Sequence, residues 1–178
     1  RTTFRLPDVV SFGLGGGSLV RDDGARIGPD SVGYELTTKG MVFGGDILTT
    51  TDIVVAAGLA DIGDRGRVAG VPSRTIETAL DTIHQMTDEA IDRMKTSAEA
   101  LPVILVGGGA ILISRDLPAA SDIIKPDHAS VANAIGAAIA QVGGEVARVL
   151  SLEGLSSDDA LDEATREAIR PAAEAGAH

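Results

Sequence analysis

The stretch VILVGGG, residues 103–109, decides the predicted fold of this chain. Four apolar residues followed at once by glycines are typical of a strand buried on both faces, as in a parallel sheet. In open α/β sheets, ligands bind beyond the carboxyl ends of such strands. Glycines there would let a base or a sugar lie against the backbone. When this run is taken alone, a tight turn from strand to helix explains it at least as well.

Two long helical patterns lie on either side of this stretch. Apolar side chains recur at close to 3.6-residue spacing over residues 73–100, and Pro102 should end that helix. A long Ala-rich helix is expected after Asp127 and through Val142, although its glycines weaken it.

Two shorter patterns also predict helices. Thr49 or Asp52 can cap a short helix that contains the following apolar run and stops at Gly58. An acidic and peripheral helix is expected from about Ser157 to Ala173. Helices that alternate with about five short strands indicate an α/β fold.

The N-terminal part predicts a hairpin with a glycine-rich tip. Val9, Val10 and Phe12 are expected to form one strand, and Leu19-Val20 to begin the next. A second turn at residues 22–24 then returns the chain through residues 25–27. A further short strand is expected at residues 123–126.

Composition excludes several classes of protein. The net charge is −11, and the absence of a basic face argues against a nucleic-acid binder. There is no cysteine, which excludes disulfides and thiolate-bound zinc, and no apolar run reaches the roughly 18 residues of a membrane span. The chain is therefore expected to be soluble and cytoplasmic. The charges at Arg21, Asp22, Asp23 and Lys39 are expected to be solvated in turns.

The two glycine clusters are candidate ligand contacts. Successive backbone N–H groups at residues 15–17 could converge on a phosphate oxygen, and Ser18 could add a hydroxyl donor. A plain β-turn is the alternative, since a glycine cluster alone is a weak signal. Two such clusters, each behind an apolar strand, are stronger evidence for ligand contact than either cluster alone.

Acidic and histidine side chains are the candidates for acid–base or metal chemistry. Asp46 follows two glycines, whereas Asp52 is explained more simply as an acid in the first turn of a helix. The spacing of Asp46, Asp52 and Asp61 fits no metal motif. His84 is expected at the surface beside carboxylates, and His128 is expected to have a structural role.

Five segments, in order along the chain, resemble the hydantoinase A/oxoprolinase family. The match runs from about residue 8 to residue 150, and its segments are long and distinctive. They are DVVSFGLGGGSLVR (8–21), IGPDSVGYEL (27–36), FGGDILTTTDIVVAAG (43–58), LPVILVGGGAILI (101–113) and VANAIGAAIAQVGGEV (131–146).

The resemblance implies a ribonuclease-H-like lobe of the actin, sugar-kinase and heat-shock ATPase fold, with a mixed sheet and flanking helices. It implies that ATP and Mg²⁺ drive the opening of a cyclic amide such as a hydantoin or 5-oxoproline, plausibly through phosphorylation of an amide oxygen. Related members are subunits of ATP-dependent carboxylases. A second hydantoinase subunit is a further partner that the resemblance implies.

The resemblance also implies roles for particular residues. Asp46 and Asp52 would be catalytic, on the substrate or metal side of the cleft, and no metal ligands can be assigned. The second phosphate hairpin would comprise Gly15, Gly16, Gly17 and Ser18. The turn on the adenosine side would comprise Gly107, Gly108 and Gly109.

Two departures from the family pattern limit these expectations. Gly13 stands where many relatives in the wider superfamily have Asp at the start of this hairpin, and nothing here resembles the first phosphate loop. Residues 1–178 are therefore expected to form a single C-terminal lobe, with residues 151–178 peripheral. A missing N-terminal lobe would complete the ATP cleft, and the isolated chain should show little turnover.

Two other hypotheses remain open. The chain could be a nucleotide-sensing or assembly subunit without catalysis of its own, as Gly13 suggests. It could also be a structural α/β domain whose glycine turns bind nothing, which the ordered family resemblance disfavours.

Overall fold

The computed structural model describes residues 8–140, 143–146, 149, 154 and 156–177. The chain divides into two compact units, Arg1–Ala132 and Asn133–His178. In the described residues the fold is a mixture of helices and short strands, which confirms the predicted α/β class.

An antiparallel hairpin begins the first unit. Strand β1 (Ser18–Arg21) pairs with β2 (Arg26–Ser31), and the turn at residues 22–24 joins them as predicted. The predicted strand at residues 9–12 is wrong, because these residues have no regular structure. Both edges of β1 are already occupied, by β2 on one side and by Leu48-Thr49 on the other. The glycine cluster therefore leads into β1 and is not the tip of a hairpin.

Three helices follow the hairpin. Helix α1 (Leu36–Lys39) is a single turn, and α2 (Thr50–Ala56) is the predicted short helix. Helix α3 (Ser73–Met94) buries Ala79 and Ile83 completely. It ends six residues before the predicted limit, because Lys95 adopts an extended backbone, and Pro102 lies instead in the next strand.

A second sheet contains the stretch that predicted the fold. Strand β3 (Leu101–Ile104) pairs in parallel with β4 (Ala120–Ile124), so the parallel pairing and the later strand are confirmed. The predicted burial on both faces is wrong, since Leu101 is 43% and Ile104 is 62% exposed. With only two strands, this sheet buries neither strand fully. The described strands form two separate pairs and not one mixed sheet.

The main core of the first unit is aliphatic. It lies where β1, β2, α2 and α3 meet the segment that follows the second glycine cluster. Its buried residues are Val20, Ile27, Ile53, Val54, Ala79, Ile83, Leu112, Ile113 and Leu117. A smaller cluster of Val42, Val55 and Val68 lies on the other side of α2.

The second unit contains the acidic helix. Helix α4 (Ala132–Ala138) is much shorter than the Ala-rich helix predicted here, and Val142 lies outside the described residues. Helix α5 (Ser157–Glu174) confirms the predicted C-terminal helix, and the Ser156 side chain caps it by accepting from the Asp159 N–H. Of the peripheral region 151–178, residues 151–153, 155 and 178 lie outside the described residues. No helix in the described part of the chain is long and apolar enough to cross a membrane.

Candidate functional site

The first glycine cluster forms a tight turn that precedes β1. The Ser18 N–H donates to the Gly15 carbonyl at 3.0 Å, and the Gly15 N–H donates to Ser18 Oγ at 2.9 Å. Ser18 is 2% exposed, and its hydroxyl also donates to the Gly13 carbonyl at 3.4 Å. The Ser18 hydroxyl is thus used inside the turn and does not face outward as a donor for a ligand.

The carbonyls of this turn point into the fold. Thr50 Oγ1 donates to the Gly15 carbonyl at 2.5 Å, and Thr51 Oγ1 donates to that of Gly16 at 2.8 Å. No described residue accepts a hydrogen bond from the N–H groups of Gly16 and Gly17. Two successive free N–H groups in a turn can bind an anion. The turn therefore retains the chemistry of a phosphate contact.

Packing alone explains two of these glycines. A Cβ at Gly16 would lie 2.8 Å from Thr51 Oγ1, and a Cβ at Gly17 would lie 2.9 Å from Ser31 Oγ. A Cβ at Gly15 would meet nothing within 4 Å. A Cβ at 16 or 17 would have to displace a side-chain hydroxyl, so packing favours glycine at both positions whether or not a ligand binds.

The two aspartates implied by the resemblance have different environments. Asp46 is exposed, and no described residue bonds to its carboxylate. Asp52 is completely buried and accepts from the Val42 N–H, the Thr49 N–H and the Thr49 hydroxyl, each at 2.7 Å. Thr49 and Asp52 together form the capping box of α2.

Asp52 is therefore corrected from a catalytic to a structural residue. Both of its oxygens accept hydrogen bonds from donors of the fold, and the side chain has no exposed surface at which to contact a substrate or a metal ion. Asp46 remains available as an exposed carboxylate. In the described part of the chain, no three His, Asp or Glu residues cluster as metal ligands would.

The second glycine cluster borders a cavity of about 650 Å³. Gly107 and Gly108 line it, and Gly109 follows at the start of a short 3₁₀ turn. A Cβ at Gly107, Gly108 or Gly109 would meet nothing within 4 Å. Of the three, Gly107 alone has a positive φ, +81°, which favours glycine. Neither packing nor backbone conformation requires glycine at 108 and 109, and the missing side chain at 108 leaves one wall of the cavity open.

Helix α2 links the two glycine clusters. Thr50 and Thr51, at its first turn, hold the carbonyls of the first cluster. Leu59 and Ile62, just beyond its last turn, line the cavity beside Gly107. The two clusters are therefore associated with opposite ends of a helix of seven residues, which is about 10 Å long at 1.5 Å per residue.

Three other polar side chains in the cavity wall were not singled out by the sequence: Ser114, Lys125 and Ser130. His128, which was expected to have a structural role, also lines the cavity. Single serines and lysines in loops carry no spacing signal, so the sequence alone could not have identified them. Arg21 and Lys39, predicted to be solvated charges in turns, form ion pairs at the surface with Asp30 and Glu35. The placement in turns is wrong for both, because Arg21 ends β1 and Lys39 ends α1.

His84 is buried, which corrects the prediction of a surface histidine. It is 3% exposed, and its Nδ1 lies 2.5 Å from the Leu80 carbonyl, which can only accept, so Nδ1 carries the proton. Nε2 then accepts from the Ser114 N–H at 3.1 Å. Burial lowers the pKa of His84, and the positive charges of Arg115 and Lys125 lower it further, against opposing effects of the Leu80 carbonyl and of Asp81.

The free energy of unfolding is expected to decrease as the pH is lowered, because of His84. Its pKa is below 6.5 in the folded chain, so the unfolded chain takes up a proton first as the pH falls. The contribution of neutral His84 to the free energy of unfolding is fully present above about pH 6.5. Below that pH it decreases, by at most about 1.4 kcal/mol per pH unit. Urea denaturation at a series of pH values would measure this slope.

Two variants isolate the contribution of His84 from that of the carboxylates. His84→Gln should show a shallower slope than the parent below about pH 6.5, since it has no imidazole to protonate. His128→Gln, at an exposed position, should keep the parent slope. Equal slopes for the parent and His84→Gln would contradict the assignment of a buried neutral histidine.

The chain matches no protein-family model, no curated protein and no solved structure. These comparisons therefore do not show a family for it. Its function has to be argued from the turn at residues 15–17, the cavity beside Gly107 and the helix that links them, together with the sequence resemblance.

Proposed function

We propose that this chain forms part of the nucleotide cleft of an ATP-dependent enzyme that opens cyclic amides, of the hydantoinase/oxoprolinase type. The observation that carries the proposal is the cavity beside Gly107 and Gly108, where a Cβ at 108 would meet no atom of the fold and the backbone itself forms part of the wall. A flat base or sugar can lie against such a backbone. The ring-opening activity and the ribonuclease-H-like lobe of the actin-like ATPases rest on the sequence resemblance.

The residues of the chain fit the two ends of ATP. The cavity has a volume of about 650 Å³ and combines apolar walls with hydroxyl and ammonium groups, as small-molecule sites do. The free N–H groups of Gly16 and Gly17 suit a phosphate. The two places are associated with opposite ends of α2, which is itself about 10 Å long, and an extended nucleotide could span a distance of that order.

The described residues support a Mg²⁺ site only weakly. Mg²⁺ bound to a nucleotide is usually held by one or two carboxylates together with the phosphates. Asp46 is the candidate that this chain offers, since Asp52 is engaged in the cap of α2. When bound, ATP with its metal would supply the phosphoryl group that activates the amide oxygen. A partner lobe, N-terminal in the resemblance, would supply the remaining ligands and the first phosphate loop.

A second candidate function is a nucleotide-binding or assembly subunit without catalysis of its own. The structural role of Asp52 favours it, because one of the two expected catalytic carboxylates is no longer available. A part in a related ATP-dependent carboxylase would use the same nucleotide site. The ring-opening enzyme, the nucleotide-binding subunit and the carboxylase all require the cavity to bind the nucleotide, so the same experiment comes first.

Substitution of Gly108 tests the nucleotide site. Gly108→Val should fold like the parent, since its Cβ meets nothing, yet weaken ATP binding by about tenfold or more because the side chain would enter the cavity. Gly109→Val is the matched control: its Cβ is equally unobstructed, but Gly109 does not line the cavity. Calorimetric titration with ATP and Mg²⁺ would measure the affinities.

Two results would overturn the proposal. One is that Gly108→Val binds ATP as tightly as the parent, which would show that the nucleotide does not occupy the cavity. The other is that the parent chain binds no adenine nucleotide at all. Circular dichroism of both variants would verify that any loss of binding is not a loss of folding.

A further inference from the structure

The cavity beside Gly107 is locally cationic in an acidic protein. The chain has 26 acidic residues and a net charge of −11, yet no Asp or Glu is among the described residues that line this cavity. Lys125 and His128 are its titratable groups, and Ser114 and Ser130 contribute hydroxyls. A cavity that excludes carboxylates and keeps an ammonium group is electrostatically suited to an anionic ligand.

Lys125 differs from the other two lysines of the chain. Lys39 pairs with Glu35 at 2.7 Å and Lys95 pairs with Asp92 at 3.0 Å, whereas no described carboxylate forms an ion pair with Lys125. The Lys125 ammonium instead donates to the Ile113 carbonyl at 2.6 Å. That bond holds the ammonium in the cavity wall and leaves two of its three N–H donors for a ligand.

The neighbouring cation is already neutralised. Arg115 is adjacent in sequence to Ser114, but its guanidinium pairs with Asp81 at 2.7 Å. Ser114 and Ser130 can offer hydroxyls to a sugar or a phosphate, but they carry no charge. Lys125 is therefore the ammonium group of this wall that can distinguish a charged ligand from a neutral one of the same shape, with His128 as the other titratable side chain beside it.

We infer that Lys125 makes the cavity select nucleotides over nucleosides, by binding the phosphate that is attached to the ribose. The inference rests on the proposed function, because it assumes that the cavity holds the adenosine part of the nucleotide. The α-phosphate is the one closest to the adenosine, so it is the phosphate that a lysine in this wall would meet. A charge-assisted hydrogen bond to phosphate is stronger than one between neutral groups.

Titration of the chain with AMP and with adenosine tests the inference. The parent should bind AMP about ten times more tightly than adenosine. Lys125→Met keeps the apolar stem and removes the charge, so it should bind the two ligands about equally. Lys95→Met is the matched control, because Lys95 lies outside this cavity and should leave the preference for AMP intact.

A second variant and a salt series strengthen the test. Lys125→Arg restores the positive charge and should restore most of the preference for AMP. Added salt should weaken the binding of AMP to the parent and have little effect on Lys125→Met, since salt screens charge interactions. Should Lys125→Met fail to fold, the Lys125→Arg variant and the salt series on the parent still measure the contribution of charge.

The outcomes separate this inference from the proposed function. Equal affinities of the parent for AMP and adenosine would overturn the inference and leave the nucleotide site standing. A preference for AMP that survives in Lys125→Met would also overturn it, since the phosphate would then be bound elsewhere, as by the N–H groups of Gly16 and Gly17. Binding of neither ligand by the folded parent would overturn the proposed function, and the inference with it.

Discussion

Asp52→Ala is expected to lower the free energy of unfolding by about 4 kcal/mol, because each buried donor left without an acceptor costs about 1–3 kcal/mol. Three donors lose their acceptor in this variant: the Val42 N–H, the Thr49 N–H and the Thr49 hydroxyl. All three lie in the interior, and the capping box of α2 is lost with them. Urea denaturation of the parent and the variant would measure the difference.

Asp46→Ala is the matched control, since it changes the same residue type in the same stretch of sequence. Asp46 is exposed and no described residue bonds to it, so its loss should change the stability by no more than about 0.5 kcal/mol. Asp52→Asn separates the effect of side-chain volume from that of hydrogen bonding. Asn fills the same space as Asp, but its amide N–H groups face donors, so this variant should still be destabilised. A stable Asp52→Ala variant would contradict the structural role of Asp52.

In a complete enzyme the same pair of variants would separate the two candidate functions. Asp46→Ala should reduce substrate-stimulated ATP hydrolysis with the affinity for ATP preserved if this chain belongs to a ring-opening enzyme. An unchanged rate would favour a nucleotide-binding subunit. A loss of rate in Asp52→Ala would carry no such information, because the fold itself is weakened.

Local signals in the sequence were sufficient for the elements that are fixed by short-range chemistry. The cap at Thr49 and Asp52, the stop at Gly58 and the turn at residues 22–24 depend on neighbours within a few residues. Helix α3 was predictable from its 3.6-residue period. Its end was not, because no Pro or Gly marks the extended backbone at Lys95 in the sequence.

The burial of side chains and the pairing of strands depend on distant parts of the chain, and several predictions of these two properties from the sequence were wrong. Residues 9–12 have the composition of a strand, but β2 and Leu48-Thr49 occupy both edges of β1. Strand β3 has the composition of a buried strand, but a single partner strand does not bury it. His84 has carboxylates at helical spacing, yet the Ser114 segment covers it through a contact 30 residues along the chain.

The candidate site likewise has features that are visible in the sequence and features that only the structure shows. Glycine at 107–109 and at 15–17 is visible in the sequence, but only the structure separates a glycine that packing favours, such as Gly16, from one that leaves a cavity open, such as Gly108. Lys125 carries no sequence signal at all. Its importance comes from the carboxylates that are missing around it, which is a property of the fold.

Gly45→Ala is expected to destabilise the fold almost as much as the loss of Asp52, although it adds a single carbon. The added Cβ would lie 2.1 Å from the Lys39 carbonyl oxygen and 2.6 Å from the Lys39 Cα. Backbone atoms cannot avoid it by rotation of a side chain. We expect a loss of about 3 kcal/mol, at the upper end of what overpacking costs. For a chain of this length that corresponds to a melting temperature lower by about 10 °C.

The position of the clash explains why Gly45→Ala should disturb the whole loop that carries Asp46. The Lys39 carbonyl that the new Cβ would displace accepts from the Ile47 N–H at 3.0 Å, and the Gly45 N–H donates to the Gly40 carbonyl at 3.0 Å. These two bonds hold the loop that carries Asp46. Gly70→Ala is the matched control, because a Cβ there meets nothing within 4 Å, and it should melt within about 2 °C of the parent.

Thermal denaturation and amide exchange together would decide the matter. Gly45→Ala should melt lower and expose the Ile47 amide to faster exchange, whereas Gly70→Ala should change neither. A Gly45→Ala variant that melts with the parent would mean that the backbone at Lys39 can move aside. The glycine before Asp46 would then need a reason other than packing, and close approach of a bound substrate would become the better explanation of the Gly-Gly-Asp stretch.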